Sequence, residues 1–238
     1  MPPARDLVVT SFSAEGAARY GNRCVESVVR HWPHPLDVYL DSVLPMPVGV
    51  RVDLTGEIPG YEDTRRRLPR QCPGAEKPSN YIWDAQRFAV KPFVWLAAAE
   101  RLEHGILTWL DADTVVTAAV PTGLPAALLG DADVAFLGRG EMHPETGFVA
   151  FRIPEALDLL RWCVECYQSG EFLGFEDGWT DCHVLRAGLF ETGAPARDLT
   201  SHLAAVWNSR VDAMALSPLG GYVTHYKGSR KKEAACAI

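Results

Sequence analysis

An α/β fold built on a mostly parallel central sheet flanked by helices is what this sequence predicts, and three observations predict it. Short apolar runs bounded by polar residues, Gly or Pro alternate with longer segments whose apolar residues recur every three to four positions. The chain opens strand, helix, strand, and a β-α-β unit implies parallel neighbours with a nucleotide-type crevice at the carboxyl edge of the sheet. The 238 residues are 47% hydrophobic and 22% charged, enough to bury a large core without disulfides, so a single domain over 1–238 is expected.

Leu7-Val-Val-Thr-Ser11 is the first strand, and Ser13 can cap the helix that follows. Tyr20, Cys24, Val28, Val29 and Trp32 fall at helical spacing and form its inward stripe. Val38-Tyr-Leu40, closed by Asp41, and Val50-Arg-Val-Asp-Leu54 are further strands. From Thr55 to Asn80 the chain is polar, rich in Pro and Gly, and holds Arg65-Arg66-Arg67-Leu68-Pro69-Arg70. A loop of that length suggests a lid or an acceptor-binding segment, or else a solvated basic loop. Asp84 to Leu102 reads as helix, with Phe88, Trp95, Leu96, Ala99 and Leu102 on one face and Pro92 forcing a kink or a restart. Gly105 stops it, and Ile106-Leu-Thr-Trp-Leu110 is a strand that ends in Asp111-Ala112-Asp113. Asp133–Leu137 and Gly147–Phe151 are two more strands, Pro154 to Tyr167 is a helix, and no repeat or domain boundary is visible.

The net charge of −7 argues against a general polyanion binder. The apolar runs around Ala89–Ala99 and Val115–Val120 are broken by Lys91, Pro92 and Pro121, well short of the roughly 20 residues that span a bilayer. The opening Met1-Pro2-Pro3-Ala4-Arg5-Asp6 has no signal-peptide core, so a cytoplasmic protein is expected. Cysteines at 24, 72, 163, 166, 182 and 236 are too scattered for a disulfide framework. Cys163-Val-Glu-Cys166 would need two more soft ligands to hold zinc, and only Cys182-His183 offers itself; reduced helix cysteines are the simpler reading.

Two carboxylates at i and i+2 of an extended segment project to one side, which suits a shared divalent cation, and oxygen ligation selects Mg²⁺ or Mn²⁺. The chain holds two such pairs, Asp111/Asp113 and Asp131/Asp133. The first follows its strand, where ligands of open α/β sheets bind; the second precedes its strand and reads as a turn.

Asp111-Ala-Asp113 after an apolar strand, Ala205-Val-Trp207-Asn208, and His225-Tyr-Lys-Gly228-Ser-Arg-Lys231 resemble the D-x-D, W-N and H-x-x-G-x-x-K elements of GT-A glycosyltransferases. The likeness is strongest to the family-eight type, which includes glycogenin and the lipopolysaccharide galactosyltransferases, and it runs in the right order over nearly the whole chain. It implies a GT-A-like fold and a nucleotide-diphosphate sugar, UDP-linked, held by Mn²⁺ or Mg²⁺. Asp111 and Asp113 would serve metal and ribose, and His225 would be a further metal ligand. Gly228 would admit the diphosphate and Lys231 neutralise it, Trp207-Asn208 would belong to the donor site, and Thr10-Ser11-Phe12 would face the nucleobase. Arg87 and Lys91, four apart on one helix face, could reach the phosphates. Glu145-Thr-Gly147-Phe148 opens a strand where the family has small residues lining the sugar site. Gly178-Trp-Thr-Asp181 keeps only the final Asp of the family's D-Q-D element, which makes Asp181 the first candidate catalytic or sugar-contacting carboxylate, ahead of Asp177 and Glu145. Asp177 and Asp181 could equally cap a helix through His183-Val-Leu185.

Two other classes fit parts of the pattern. Asp111-Ala-Asp-Thr-Val115 satisfies the D-x-D-x-T/V motif of haloacid-dehalogenase-type phosphatases, with Asp111 as nucleophile, Asp113 as acid and Asp177/Asp181 as a later metal pair. That reading leaves Trp207-Asn208 and the His225 segment without a role, and Glu176 stands where Gly is expected. A non-catalytic carbohydrate or sugar-nucleotide binder could use some of the seven Trp for stacking. Arg65, Arg66, Arg67 and Arg70, with Arg230, Lys231 and Lys232, could form a basic rim for an anionic acceptor, a phosphorylated glycan or a hydroxymethylated base in DNA.

Overall fold

The computed structural model describes residues 6–70, 81–140, 142–200 and 212–226. β1 (Leu7–Phe12) leads into α1 (Ala14–Gly16), capped by Ser13, whose side chain accepts from the Gly16 amide. A π turn over Ala17–Gly21 joins α1 to α2 (Asn22–His31). Cys24 and Val28 of α2 are buried as the spacing predicts, but Val29 is 47% exposed, because it lies one step round the helix from Val28 and outside the inward stripe. β2 (Leu36–Leu40) and β3 (Arg51–Leu54) follow.

The expected long loop contains a helix, α3 (Tyr61–Arg67). Glu62 and Asp63 stand in its first turn and Arg65–Arg67 in its last, an order that suits the helix dipole at both ends. Arg65 pairs with Glu62 at 3.0 Å, Arg66 with Asp63 at 2.9 Å and Arg70 with Asp84 at 3.7 Å. Three of the four arginines of this segment therefore stand beside a carboxylate. Residues 71–80 and 227–238, with Arg230 and Lys232, lie outside the described residues.

The helix expected over 84–102 divides as Pro92 required. α4 (Ala85–Phe88) is capped by Asp84, and α5 (Val90–Leu102) restarts with Pro92 in its first turn, where a missing N–H is harmless. β4 (Gly105–Leu110) runs to the Asp-x-Asp pair, β5 (Thr114–Val116) follows it, and α6 (Leu124–Leu129) and β6 (Val134–Leu137) come next. Asp131 and Asp133 lie between α6 and β6, outside any strand, as their position before an apolar run suggests. β7 (Glu145–Ile153), α7 (Leu157–Ser169), α8 (Asp181–Thr192), β8 (Ala196–Asp198), α9 (Ala213–Leu216) and β9 (Val223–His225) complete the order.

Seven strands form the central sheet in the order β3-β2-β1-β4-β7-β6-β8. β7 is its antiparallel member, paired with β4 on one side and β6 on the other. The cause is local: residues 138–144 join β6 to β7, and so short a link allows a hairpin but no crossover. β5 and β9 pair antiparallel in a separate two-stranded sheet.

Both faces of the sheet are covered, and β4 shows how. Leu107 and Trp109 join the core beneath α5, α7 and α8, with Trp95, Phe151 and Tyr167, while Ile106 and Leu110 join the core beneath α2 and α6, with Cys24, Val28 and Phe148. Arg101 of α5 fastens this packing to the sheet edge through Asp37, Asp53 at 2.8 Å and the Tyr39 hydroxyl at 2.9 Å. Cys163 and Cys166 of α7 are buried free thiols, and burial pushes Cys166 up to about 12; among the described residues neither joins a cluster of possible metal ligands. Among the described residues no helix is long and apolar enough to cross a membrane.

Candidate functional site

The carboxyl end of β4 turns sharply. The Thr114 amide and hydroxyl both donate to the Asp111 carbonyl, at 2.9 and 2.7 Å, so Asp111-Ala-Asp113 is held in a tight turn between β4 and β5. The Asp111 amide donates to the Gly147 carbonyl at 2.9 Å, which ties the turn to β7. β9 completes the arrangement: Thr114 stands opposite His225, and the Tyr226 amide donates to the Asp113 carbonyl at 2.9 Å. His225 Nε2 thereby comes within 3.0 Å of Asp113 Oδ1.

Ligand atoms of Asp111, Asp113 and His225 all lie within 4.8 Å of one another. His225 is 2% exposed, and its Nδ1 is buried with no hydrogen-bond partner among the described residues. Two carboxylates and one imidazole form a donor set suited to Mn²⁺ or Mg²⁺, and these residues fit the cation that the sequence implied.

Gly147 supports His225 from below. A Cβ there would stand 2.6 Å from His225 Cε1, closer than carbon atoms pack. Gly147→Ala should displace the ring and destabilise the fold by about 1–3 kcal/mol, the usual range for overpacking. Urea midpoints and Mn²⁺ titration of the variant are the check, and unchanged values in both would show that the ring needs no such room.

Lys91 lies at the centre of the polar network. Its Nζ is 2.7 Å from Asp111 Oδ1, 2.9 Å from Asp181 Oδ2 and 3.1 Å from the Thr146 hydroxyl, which in turn donates to Asp181 Oδ2. Trp109 Nε1 donates to the same Asp111 oxygen at 2.9 Å. Burial would lower the lysine's pKa, but the two carboxylates outweigh it and hold the ammonium well above its ordinary value. Burial likewise raises Asp111, against the opposing pull of Lys91. Arg87 and Lys91 are thus not a matched pair. Arg87 stays exposed on α4, its guanidinium 5.9 Å from the Tyr81 ring, whereas Lys91 turns inward.

A cleft of about 550 Å³ opens beside this network, lined by Ser11, Phe12, Asp41, Arg65, Arg87, Lys91, Asp111 and Asp113 among others. Thr10 is 1% exposed and does not line it, being buried within β1. None of the three candidate catalytic carboxylates lines the cleft either. Asp181 is 1% exposed behind Lys91, and its Oδ1 has no hydrogen-bond partner among the described residues. Glu145 is buried at the start of β7, where Oε1 accepts from the Gly147 amide at 3.2 Å and Oε2 lies 3.6 Å from Arg139. Asp177 lies in a different cluster, paired with Arg186 at 2.6 Å; burial raises its pKa, but Arg186 and His183 outweigh it and hold the carboxyl below its usual value. It does not join Asp111 as a phosphatase metal pair would require. Trp207, Asn208, Gly228 and Lys231 lie outside the described residues.

Sequence reasoning missed Thr146 and Trp109. Trp109 had a signal, since two residues apart on a strand share a face with Asp111. Thr146 had none, because its place depends on β7 running antiparallel beside β4.

No protein-family model matches the chain, and no curated protein matches it. Among solved structures, that of WbbM, a bifunctional glycosyltransferase in its apo form, is similar over 99% of this chain and 50% of that one, with a TM-score of 0.54 and 11% identity. The fold is the α/β arrangement found in half of that glycosyltransferase. The chain spans half the length of that neighbour, and at this identity the likeness is one of architecture.

Proposed function

We propose that the protein is a metal-dependent glycosyltransferase of family-eight-like type that takes a nucleotide-diphosphate sugar, UDP-linked, as donor. The observation that carries this reading is the convergence of Asp111, Asp113 and His225 at the end of β4, beside a cleft, on a glycosyltransferase fold.

Asp113 and His225 would hold Mn²⁺ or Mg²⁺, with Asp111 completing the set. When bound, the cation supplies positive charge against the charge that develops on the departing diphosphate. Lys91 and Trp109 both bond Asp111 Oδ1, which fixes that carboxylate's orientation before any ligand arrives. Ser11 and Phe12, at the carboxyl end of β1, form the nucleobase end of the cleft in this reading, with Asp41 beside them for the ribose. Asp181 acts through Lys91 as a positioning residue. Arg65 and Arg66 are paired to Glu62 and Asp63, and Arg87 in the cleft lining is the basic residue placed to meet an anionic acceptor in this reading.

The test is thermal unfolding against UDP-, GDP-, TDP- and CDP-sugars, with and without Mn²⁺. One nucleotide should raise the midpoint only with metal present, the added stability being about 2.7 kcal/mol at a hundred times its dissociation constant. A panel with no metal-dependent shift would remove the reading.

A further inference from the structure

Beyond the β4 site, the described residues contain a second convergence of possible ligands, on α8 and in the two loops that face it. His143, in the link before β7, Asp177, in the link before α8, and His183, in the first turn of α8, place one ligand atom each within 4.8 Å of the others. The two imidazole rings face one another with centroids 4.0 Å apart.

His183 is 1% exposed, and its Nε2 is buried with no hydrogen-bond partner among the described residues. The nearest carboxylate oxygen, Asp177 Oδ1, lies 3.7 Å from it. That is too long for a hydrogen bond, yet it approaches the separation of two donors on one tetrahedral ion, about 3.3–3.6 Å for bonds of roughly 2.0–2.2 Å.

The surroundings orient each group in the way metal ligands are oriented. His183 Nδ1 is 2.7 Å from the Thr180 hydroxyl; with the proton on Nδ1, Nε2 keeps its lone pair, 3.7 Å from Asp177 Oδ1. Arg186 takes Asp177 Oδ2 at 2.6 Å, which leaves Oδ1 on the side of the histidines. Arg139 donates to the backbone carbonyls of His143 and Pro144, at 3.1 Å each, and so pins the loop that carries the third ligand. Both nearby guanidiniums are engaged by oxygens, and neither donates to an imidazole. Gly178, at φ 144°, lets the backbone lie against the ring: a Cβ there would be 2.7 Å from His183 Cε1.

We propose that His143, His183 and Asp177 form a second metal site, separate from the Asp111 site and built for an imidazole-preferring divalent ion such as Zn²⁺. Two nitrogens and one oxygen make a borderline donor set, in contrast to the oxygen-rich set at β4. Three protein ligands leave a fourth position open, and a small cavity bounded by Phe175, Glu176 and Ala187 lies beside it. Asp181 and His183, two residues apart at the start of α8, tie this site mechanically to the Lys91 network.

The proposal is independent of the glycosyltransferase reading, and its test avoids activity. The full chain carrying Asp113→Asn, which weakens the first site, is titrated with Co²⁺ and followed by visible absorption and equilibrium dialysis. One Co²⁺ should bind per chain with the intense absorption of a four-coordinate ion, and Zn²⁺ should displace it. Adding His143→Gln or Asp177→Asn should weaken Co²⁺ by at least the roughly 10- to 100-fold that loss of an outer partner causes. Circular dichroism melting identifies any variant that fails to fold; His143→Gln, in a loop outside the helices and strands, is the variant meant to survive. Absence of Co²⁺ binding to the Asp113→Asn chain, or equal affinity in a folded His143→Gln chain, would overturn the site.

Discussion

Under the proposed function, Asp113→Asn should lower turnover with a nucleotide-sugar donor by on the order of a hundredfold or more, since that reading puts several kcal/mol of charge stabilisation at the departing diphosphate at stake and each 1.36 kcal/mol is tenfold. The side chain is nearly isosteric, and its oxygen can still accept from His225 Nε2 across the present 3.0 Å. The fold should therefore persist while the affinity for Mn²⁺ falls. Initial rates over a Mn²⁺ series, set beside melting curves, separate the two effects. A variant that keeps the wild-type rate at every metal concentration would show that Asp113 has no part in catalysis.

The second large effect is on stability. Lys91→Met should destabilise the protein by about 3–5 kcal/mol, the range found when one partner of a buried ion pair is removed. Two carboxylates depend on this ammonium, at 2.7 and 2.9 Å, and among the described residues Asp181 pairs with no other cation. For a chain of this size each kcal/mol corresponds to roughly 2–4 °C, so the melting temperature should fall by about 6–20 °C. Adding Asp181→Asn should return part of the loss, because it removes one of the stranded charges, and the double-mutant cycle measures the coupling directly. A Lys91→Met protein that melts with the wild type would mean that the network contributes nothing to the fold.

What could be read before the structure differs by element, and the differences have causes. β1, β4 and the helix restart at Pro92 announce themselves because their signals are local: an apolar run, a stop at Gly105, a residue without an N–H. Helix α3 was hidden by composition, since Tyr61–Arg67 is charged except at Tyr61 and Thr64, and its buried face is only those two residues with Leu68 just beyond, too sparse a stripe to stand out in the sequence. At the site, Asp111 and Asp113 followed from strand direction, whereas the ion pairs of Lys91 with Asp111 and Asp181 did not. Nothing in its own helix shows that Asp181, 90 positions away in sequence, would meet it. The separation of His143 from Asp177 and His183 in sequence likewise hid the grouping of these three residues.

The pairing of β5 with β9 bears on how the protein can be dissected. Asp113 and His225 are separated by 112 positions, and three residue pairs, from Thr114–His225 to Val116–Val223, hold them in register. Contacts between such distant positions close a large loop, and their formation waits on the chain entropy that closure removes. A fragment ending before residue 223 would keep both aspartates and the cleft walls from β1 and α5, yet lack the strand that brings the histidine alongside. Shortened versions of this chain would therefore report on the cleft at the amino-terminal half while being silent about the Asp113–His225 pair, and only the intact carboxyl-terminal segment lets the two be studied together.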